Sequence, residues 1–248
     1  MKRQQIAIIG SGISGLTCAY LLHEQHDITV FESNDYIGGH TNTVEIEHLE
    51  QALQVDSGFI VSNDRNYANF LKLMSELGVA LQPTEMSFSV TNKELNLEYN
   101  GHNVNTLFSQ RRNFFRPNFY RLVFDILKFN KMSKALVGKD LDAQLTLGDF
   151  TRASNLSDTF KDNYLLPMVA AIWSCSLKQA EDFPIEFFLR FFHNHGLLDI
   201  KNRPQWYVVK GGSKAYIEPL TANFRQRIKL KCPVTSVERA QSSITVNH

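Results

Sequence analysis

The chain has 248 residues, 43% of them hydrophobic and 21% charged, with a formal net charge of +1. That length holds one large or two small domains around a substantial core, and the near-neutral balance gives no global drive toward nucleic acid. Cys18, Cys175 and Cys232 are odd in number, far apart and without C-x-x-C spacing, which argues against a disulfide framework or zinc site and fits a reducing cytoplasm.

The first apolar run begins within a few residues of Met1, leaving no room for a secretory signal, and no run is long enough to cross a bilayer. A soluble, cytoplasmic protein is expected. Ile6 to Ile9 predict a short buried strand, Ser14 to Gln25 a helix with Leu16, Ala19, Tyr20 and Leu22 as apolar positions, and Ile28 to Phe31 a second buried strand. The first turn carries Gly10-Ser11-Gly12-Ile13-Ser14-Gly15, and Glu32 closes the second strand. Each feature has a physical job in holding a dinucleotide. Gly10 permits the tight turn, Gly12 lets main-chain N–H groups approach a pyrophosphate, and Gly15 lets helix and strand pack closely. The helix N-terminus offers unpaired donors and partial positive charge to phosphates. Glu32 can accept from both ribose hydroxyls and would repel a 2′-phosphate, which disfavours NADP. A glycine-rich turn alone is weak evidence, but strand, helix, strand and carboxylate in series read as a nucleotide-binding βαβ start. A tight turn with no ligand is the competing reading.

Asn66 to Leu77 places Tyr67, Phe70, Leu71, Met74 and Leu77 on one helical face, stopped by Gly78. Phe88 to Val90 and Leu95 to Tyr99 alternate as a hairpin, with Asn100-Gly101 as a turn after the second strand. Helices are predicted over Asn118 to Leu136, from Leu147, over Thr159 to Trp173, and over Ile185 to Asn194 with Gly196 as a cap. From Trp206 the pattern returns to strands at Tyr207–Val209, Ile228–Lys231, Val234–Glu238 and Ile244–Val246, with one helix from Lys214 to Phe224. The expectation is a discontinuous α/β domain, residues 1–75 and 204–248, with residues 76–203 inserted as a mainly helical α+β substrate domain.

After Glu32 comes Gly38-Gly39-His40-Thr41-Asn42-Thr43. A glycine pair just past the acidic residue is not needed by an ordinary NAD site. It resembles the N-terminal fingerprint of FAD-binding oxidoreductases of the flavin amine oxidase, protoporphyrinogen oxidase and phytoene desaturase superfamily. Leu53 to Val61, with Asp56-Ser57-Gly58-Phe59, looks like that superfamily's strand-loop along the flavin. Trp206-Tyr207-Val208-Val209-Lys210-Gly211-Gly212-Ser213 resembles its return to the FAD domain, and Lys231-Cys232-Pro233-Val234 the strand end whose Val backbone meets adenine. The segments Gly38 to Thr43, Ala171 to Ser174 and Phe191 to Leu198 resemble a bacterial branch of NAD/FAD-binding proteins.

This resemblance implies a Rossmann-like, three-layer FAD/NAD(P)-binding domain with FAD as cofactor, and the cysteine and histidine spacing leaves no metal expected. The resemblance implies a small-molecule organic substrate, such as an amine, that gives up a hydride; the Phe-rich insert adds an apolar or lipid-like compound as the expectation. The resemblance places the pyrophosphate on Gly10, Ser11, Gly12, Ile13, Ser14 and Gly15, with Gly38, Gly39, His40 and Thr41 alongside. The ribose falls on Glu32, adenine at Val234, and the flavin beside Gly58 and Phe59. The superfamily usually has Arg where His40 stands, and a neutral imidazole donates one hydrogen bond without a full charge. Its members continue beyond a strand such as Ile244–Val246 into a portion that completes the flavin site. The resemblance therefore implies a truncated or split member whose partner is a missing C-terminal half; a naturally minimal protein is the alternative.

No nucleophilic triad is visible, and none is needed where the cofactor performs the hydride transfer; no catalytic residue is assigned. Trp173 and Ser174 read as packed core or as cavity lining. His193 and His195, two apart, do not share a helix face and read as one packed and one exposed residue at a capped end. Asp56 reads as a structural hydrogen-bonding carboxylate. Thr106 to Lys139 holds eight Arg and Lys against Asp125 alone, interleaved with seven Phe and Tyr. That pattern suits peripheral contact with an anionic membrane, an acidic lipid-like substrate, or a helix with a packed aromatic face and a solvated basic one. No nucleic-acid motif accompanies it. The functional expectation is an FAD-dependent oxidoreductase. Its rivals are a non-catalytic nucleotide-binding fragment or half of a split flavoprotein, a peripheral membrane-binding protein, and an NAD-dependent dehydrogenase.

Overall fold

β1 (Gln5–Ile9) and β2 (Asp27–Phe31) pair in parallel, with Gln5 opposite Asp27 and Ile9 opposite Phe31. Parallel strands need a crossover, and α1 (Ile13–Leu22) supplies it. The computed structural model that shows this describes residues 2–199, 203–241 and 243–248. Residues 200–202, within the segment expected to be inserted, lie outside the described residues.

The chain divides into two units, Met1–Thr84 with Trp206–His248, and Glu85–Gln205. In the first unit, β3 (Thr43–His48) and β4 (Gln51–Asp56) form an antiparallel hairpin. Its turn residues, Leu49 and Glu50, both take positive φ, the conformation a two-residue hairpin turn asks of them. β5 (Ser62–Asn63), α2 (Ala68–Glu76) and β6 (Leu81–Thr84) complete the first segment.

The second unit opens with the hairpin β7 (Ser89–Asn92) and β8 (Leu97–Asn100). Helices follow: α3 (Val104–Leu107), α4 (Pro117–Leu136), α5 (Leu147–Ala153), α6 (Asp158–Phe160), α7 (Leu166–Trp173), α8 (Leu177–Glu181) and α9 (Ile185–Asn194). The chain returns to the first unit as β9 (Trp206–Val209), α10 (Ile217–Thr221), β10 (Ile228–Lys229), β11 (Ser236–Arg239) and β12 (Ile244–Asn247).

The return is what makes the first unit one body. β9 inserts between β5 and β6, antiparallel to both, and β10 extends the parallel sheet to the order β1-β2-β10. For the same reason the division falls at Thr84 rather than at residue 75. Leu73 and Met74 of α2 pack in the first core, and β6 pairs with β9.

Several predicted elements are corrected. β1 is not buried: Ile8 is, but Ile9 is 57% exposed, because β1 is an edge of its sheet among the described residues. α1 stops at Leu22 rather than Gln25. Thr159 to Trp173 is not one helix but α6, one turn of π-helix over Lys161–Leu165, and α7. Pro167 has no N–H to give the carbonyl of Asn163 four residues back, and that carbonyl accepts the Tyr99 hydroxyl instead at 2.6 Å. Lys214 to Phe224 divides likewise into a 3₁₀ turn, Ser213–Tyr216, and α10, which contains Pro219. Val234 precedes β11 rather than opening it.

Each unit has its own core. The first gathers Leu16, Ala19, Val30, Met74, Leu220 and Phe224. The second is aromatic: Phe129 is fully buried and meets Phe150, Phe160 and Phe188 at centroid distances of 6.1, 5.3 and 6.0 Å. Truncating so large a side chain loses transfer energy and leaves a cavity. Phe129→Ala is expected to destabilise by about 3–5 kcal/mol, read as a lowered midpoint of urea unfolding followed by circular dichroism.

Candidate functional site

The turn between β1 and α1 is closed by main chain. Gly10 has φ +91° and donates its N–H to Phe31 O at 2.8 Å. A Cβ at Gly15 would lie 2.1 Å from Gly10 O, so helix and turn approach this closely only around glycine. Gly12 caps α1 with extended backbone and bridges to Gly38, and a Cβ on Gly39 would stand 3.2 Å from Gly12 Cα. The second glycine pair is thereby laid against the first loop.

α1 begins without a side-chain cap and without a carboxylate in its first turn. Leu16 N–H makes the first intrahelical bond, to Gly12 O at 3.0 Å. Ile13, Ser14 and Gly15 therefore carry the donors that any helix start leaves without intrahelical acceptors. Ile13 and Ser14 are exposed. Unpaired N–H groups at the positive end of a helix dipole are a donor set for phosphate.

Glu32 is 5% exposed, and both its oxygens are engaged. Oε2 accepts from Ser11 N–H at 2.8 Å and Ser11 Oγ at 2.6 Å; Oε1 accepts from Asn34 N–H at 2.8 Å and Ser33 Oγ at 3.2 Å. Burial raises the carboxyl, but the bonds from Asn34, Ser11 and Ser33 outweigh it and hold Glu32 below the usual carboxylate range. Ser11 Oγ also accepts from Gly38 N–H at 3.2 Å, so one hydroxyl links the carboxylate to the glycine pair. A ribose reaching Glu32 would share it with rotatable hydroxyls of Ser11 and Ser33.

The loop after β4 is pinned to the same place. Phe59 N–H donates to His40 O and Ser57 N–H to Asn42 O, each at 2.9 Å, and a Cβ on Gly58 would lie 2.1 Å from His40 O. His40 contributes its carbonyl here while its side chain is exposed. Thr41 is buried; its N–H donates to Gly38 O at 3.0 Å and its hydroxyl is bonded to that of Tyr216. Phe59 meets Phe70 at 5.1 Å, and Phe70 meets Tyr216 edge-on at 5.8 Å.

Asp56 is held as a structural acceptor. Its Oδ1 receives Thr43 Oγ1 at 2.6 Å, Ser213 N–H at 2.9 Å and Ser213 Oγ at 2.8 Å. Val234 is half-buried in irregular chain. Lys231 N–H donates to Asn34 O at 2.9 Å and Cys232 N–H to Glu32 O at 2.8 Å, which carries Val234 to the end of β2. Gly10 to Gly15, Glu32, Gly38 to Thr41 and Gly58-Phe59 are thus joined by direct contacts, and Val234 through Cys232. Ser11 was placed on the pyrophosphate by sequence reasoning, but its hydroxyl's link from Glu32 to Gly38 was not, and neither Tyr216 nor Ser213 was singled out. Ser11 lies within the motif, but the others join positions more than 150 residues apart, with no local signal.

In the second unit, Trp173 packs on Phe183 at 4.7 Å and Phe191 at 4.8 Å, as a core residue does. His195 stacks on Phe191 at 4.0 Å while His193 is exposed. Among the described residues no three His, Cys, Asp or Glu side chains are grouped to hold a metal, and no helix is long and apolar enough to cross a membrane.

A parallel βαβ unit with a glycine turn, uncapped helix start and carboxylate at the second strand defines the dinucleotide-binding class of fold. Residues 13–247 match the family described as flavin containing amine oxidoreductase, and the chain belongs to that family. Amine oxidase [flavin-containing] A of Canis lupus familiaris is 26% identical across 98% of this chain and 47% of its own length. Zeta-carotene desaturase of Zea mays is 32% identical over 78 residues, 30% of this chain and 12% of that protein. The structure of cyclohexylamine oxidase from Brevibacterium oxydans superposes with TM-score 0.74 at 18% identity, covering 100% of this chain and 55% of that one. Putrescine oxidase bound to putrescine gives 0.68 at 17% identity, with coverage of 99% and 54%. These likenesses establish the fold as that of the FAD-binding amine oxidases. The chain spans about half the length of the amine oxidases it matches.

The depressed Glu32 value has a consequence for stability. A carboxylate whose folded value lies below its unfolded one stabilises the fold above the unfolded value, and that contribution is lost as pH falls through the folded value. Glu32→Gln is expected to be less stable than the parent at neutral pH, with the difference in urea midpoints closing as pH falls below about 4. A difference that stayed constant through the acid range would show that Glu32 carries no special charge stabilisation.

Proposed function

We propose that this chain binds FAD and serves an FAD-dependent oxidoreductase acting on a small organic amine. The observation that carries the reading is the bonded series from Glu32 through Ser11 to Gly38, which lays a second glycine loop against the helix start. In this reading the N–H groups of Ile13, Ser14 and Gly15 hold the diphosphate and Glu32 orients the adenosine ribose. Gly38 to Thr41 line the phosphates, with His40 reaching them only through an exposed side chain. The chain at Val234 borders adenine. The Gly58-Phe59 loop, fixed by His40 O and the Asp56 tie, borders the flavin. FAD, when bound, supplies a two-electron oxidant for the substrate.

The residues present fit the group. An uncapped helix start suits a diphosphate, and a buried, hydrogen-bonded carboxylate suits a ribose and refuses a 2′-phosphate. The amine rests on the names of the relatives, which include a cyclohexylamine oxidase and a putrescine oxidase. A body more apolar than putrescine, up to a lipid-like one, is the extension favoured by the carotene desaturase among those relatives. That the chain spans about half of the amine oxidases supports a second reading, nucleotide binding without turnover.

Titration of the purified chain with FAD, followed by flavin fluorescence, tests the site. Micromolar or tighter binding is expected, with no comparable binding of NAD. Glu32→Ala should weaken it by about 1.5–3 kcal/mol for each charged hydrogen bond lost to the ribose. Unchanged affinity in Glu32→Ala would place the ribose elsewhere. Flavin absorbance that bleaches under anaerobic amine supports turnover, whereas bleaching by dithionite alone supports the second reading.

A further inference from the structure

We propose that the exposed face spanning residues 111–131 is a docking surface for an anionic lipid bilayer. The inference stands on the second unit alone and is independent of the flavin reading. The sequence leaves open whether the aromatic residues there are packed or presented, and the structure divides them. Phe108, Phe119 and Phe129 are buried, whereas Phe115 is 89% and Phe124 64% exposed, with Phe114, Tyr120 and Leu127 also exposed. Along α4, Tyr120, Phe124, Leu127 and Lys131 follow spacings of four, three and four, which align them on one stripe. Phe119, Leu122 and Phe129 occupy the opposite, buried face. Phe114 and Phe115 stand at the N-terminal end of that stripe, on a 3₁₀ turn over Arg111–Phe115.

The cations around the stripe keep their charge uncompensated. Arg111 donates to Asn105 Oδ1 at 2.8 Å, Arg112 and Arg116 to Asn96 O at 2.6 and 3.0 Å, and Lys128 to Ser154 O and Asn155 O at 2.9 and 3.0 Å. Every one of these acceptors is a neutral amide oxygen, which orients the cation without cancelling it. Among the described residues no carboxylate lies within ion-pair distance of Arg111, Arg112, Arg116, Arg121, Lys128 or Lys131. Lys134, by contrast, is paired with Asp199 at 2.6 Å.

A row of exposed rings flanked by fixed positive charge is matched by a surface that is apolar a few ångströms below a layer of anions. A second copy would bring like charges face to face. Nucleic acid would meet a convex helix bearing Leu127, which offers no flat face for a base, and Phe114 is already stacked on Phe108 at 4.3 Å.

Co-sedimentation of the full chain with vesicles tests the assignment, comparing phosphatidylcholine alone with equal parts of phosphatidylserine and phosphatidylcholine. Binding is expected to be about tenfold or more stronger to the anionic vesicles and to weaken with added salt. Each cation at such a surface contributes about fivefold, so Arg111→Glu/Arg112→Glu should lose about 25-fold or more. Phe115→Ser/Phe124→Ser should also lose binding while circular dichroism stays that of the parent. Phe115→Trp should add blue-shifted emission with anionic vesicles only. Equal affinity for both vesicles, no binding to either, or unchanged binding by Phe115→Ser/Phe124→Ser would overturn the proposal. A dimer that the same double substitution makes monomeric would assign the face to a second copy. Displacement of the chain from anionic vesicles by polyuridylate at equal ionic strength would assign it to nucleic acid.

Discussion

Ser11 is where three pieces of chain are made to agree. Its N–H and its hydroxyl both donate to Glu32, and the same hydroxyl accepts from Gly38. A buried carboxylate is costly unless its lone pairs are filled. Filling them with Ser11, Ser33 and Asn34 fixes the end of β2 against the turn after β1, and through Gly38 it draws in the loop that follows. The ordered contact of the two glycine loops is therefore a by-product of satisfying one charge.

A second carboxylate plays the corresponding part for the rest of the first unit. Asp56 collects Thr43 from its partner strand and Ser213 from the returning chain, and Lys214 N–H donates to Thr43 Oγ1 at 2.9 Å. With β9 seated between β5 and β6, the unit is sewn together across a long insertion. The insertion can then be a folded body with its own aromatic core, since its two ends leave and return on neighbouring strands. The glycine loops thus belong to one core and the helical unit to another.

Legibility followed the range of the interactions. Helix α9 ends where periodicity and Gly196 put it, because the pattern and the cap are local: Gly196 takes φ +67° and Leu197 N–H reaches back to Phe192 O. The interruption before α7 carried a local signal in Pro167 that the apolar periodicity of Thr159 to Trp173 masked; what no local pattern shows is the Tyr99 hydroxyl, 64 residues away, that satisfies the freed carbonyl. The burial of β1 was overestimated, since an apolar strand reads the same at an edge as in the middle of a sheet. Asp56 was legible as a hydrogen-bonding residue but not as the partner of Ser213. In the basic aromatic segment composition was visible, but not which rings would be turned outward.

By itself the sequence determined the βαβ start, the glycine turn, the acidic end of the second strand and the family they belong to. Those features depend on backbone conformations and close approaches that only particular residues at particular spacings allow. The tertiary structure alone decided that Glu32 is a shared acceptor, that Asp56 ties distant segments, that the His40 carbonyl holds the Gly58-Phe59 loop, and that Phe115 and Phe124 stand in solvent. Each of these depends on which groups from remote parts of the chain come within hydrogen-bonding or packing distance, and neither spacing nor composition carries that information.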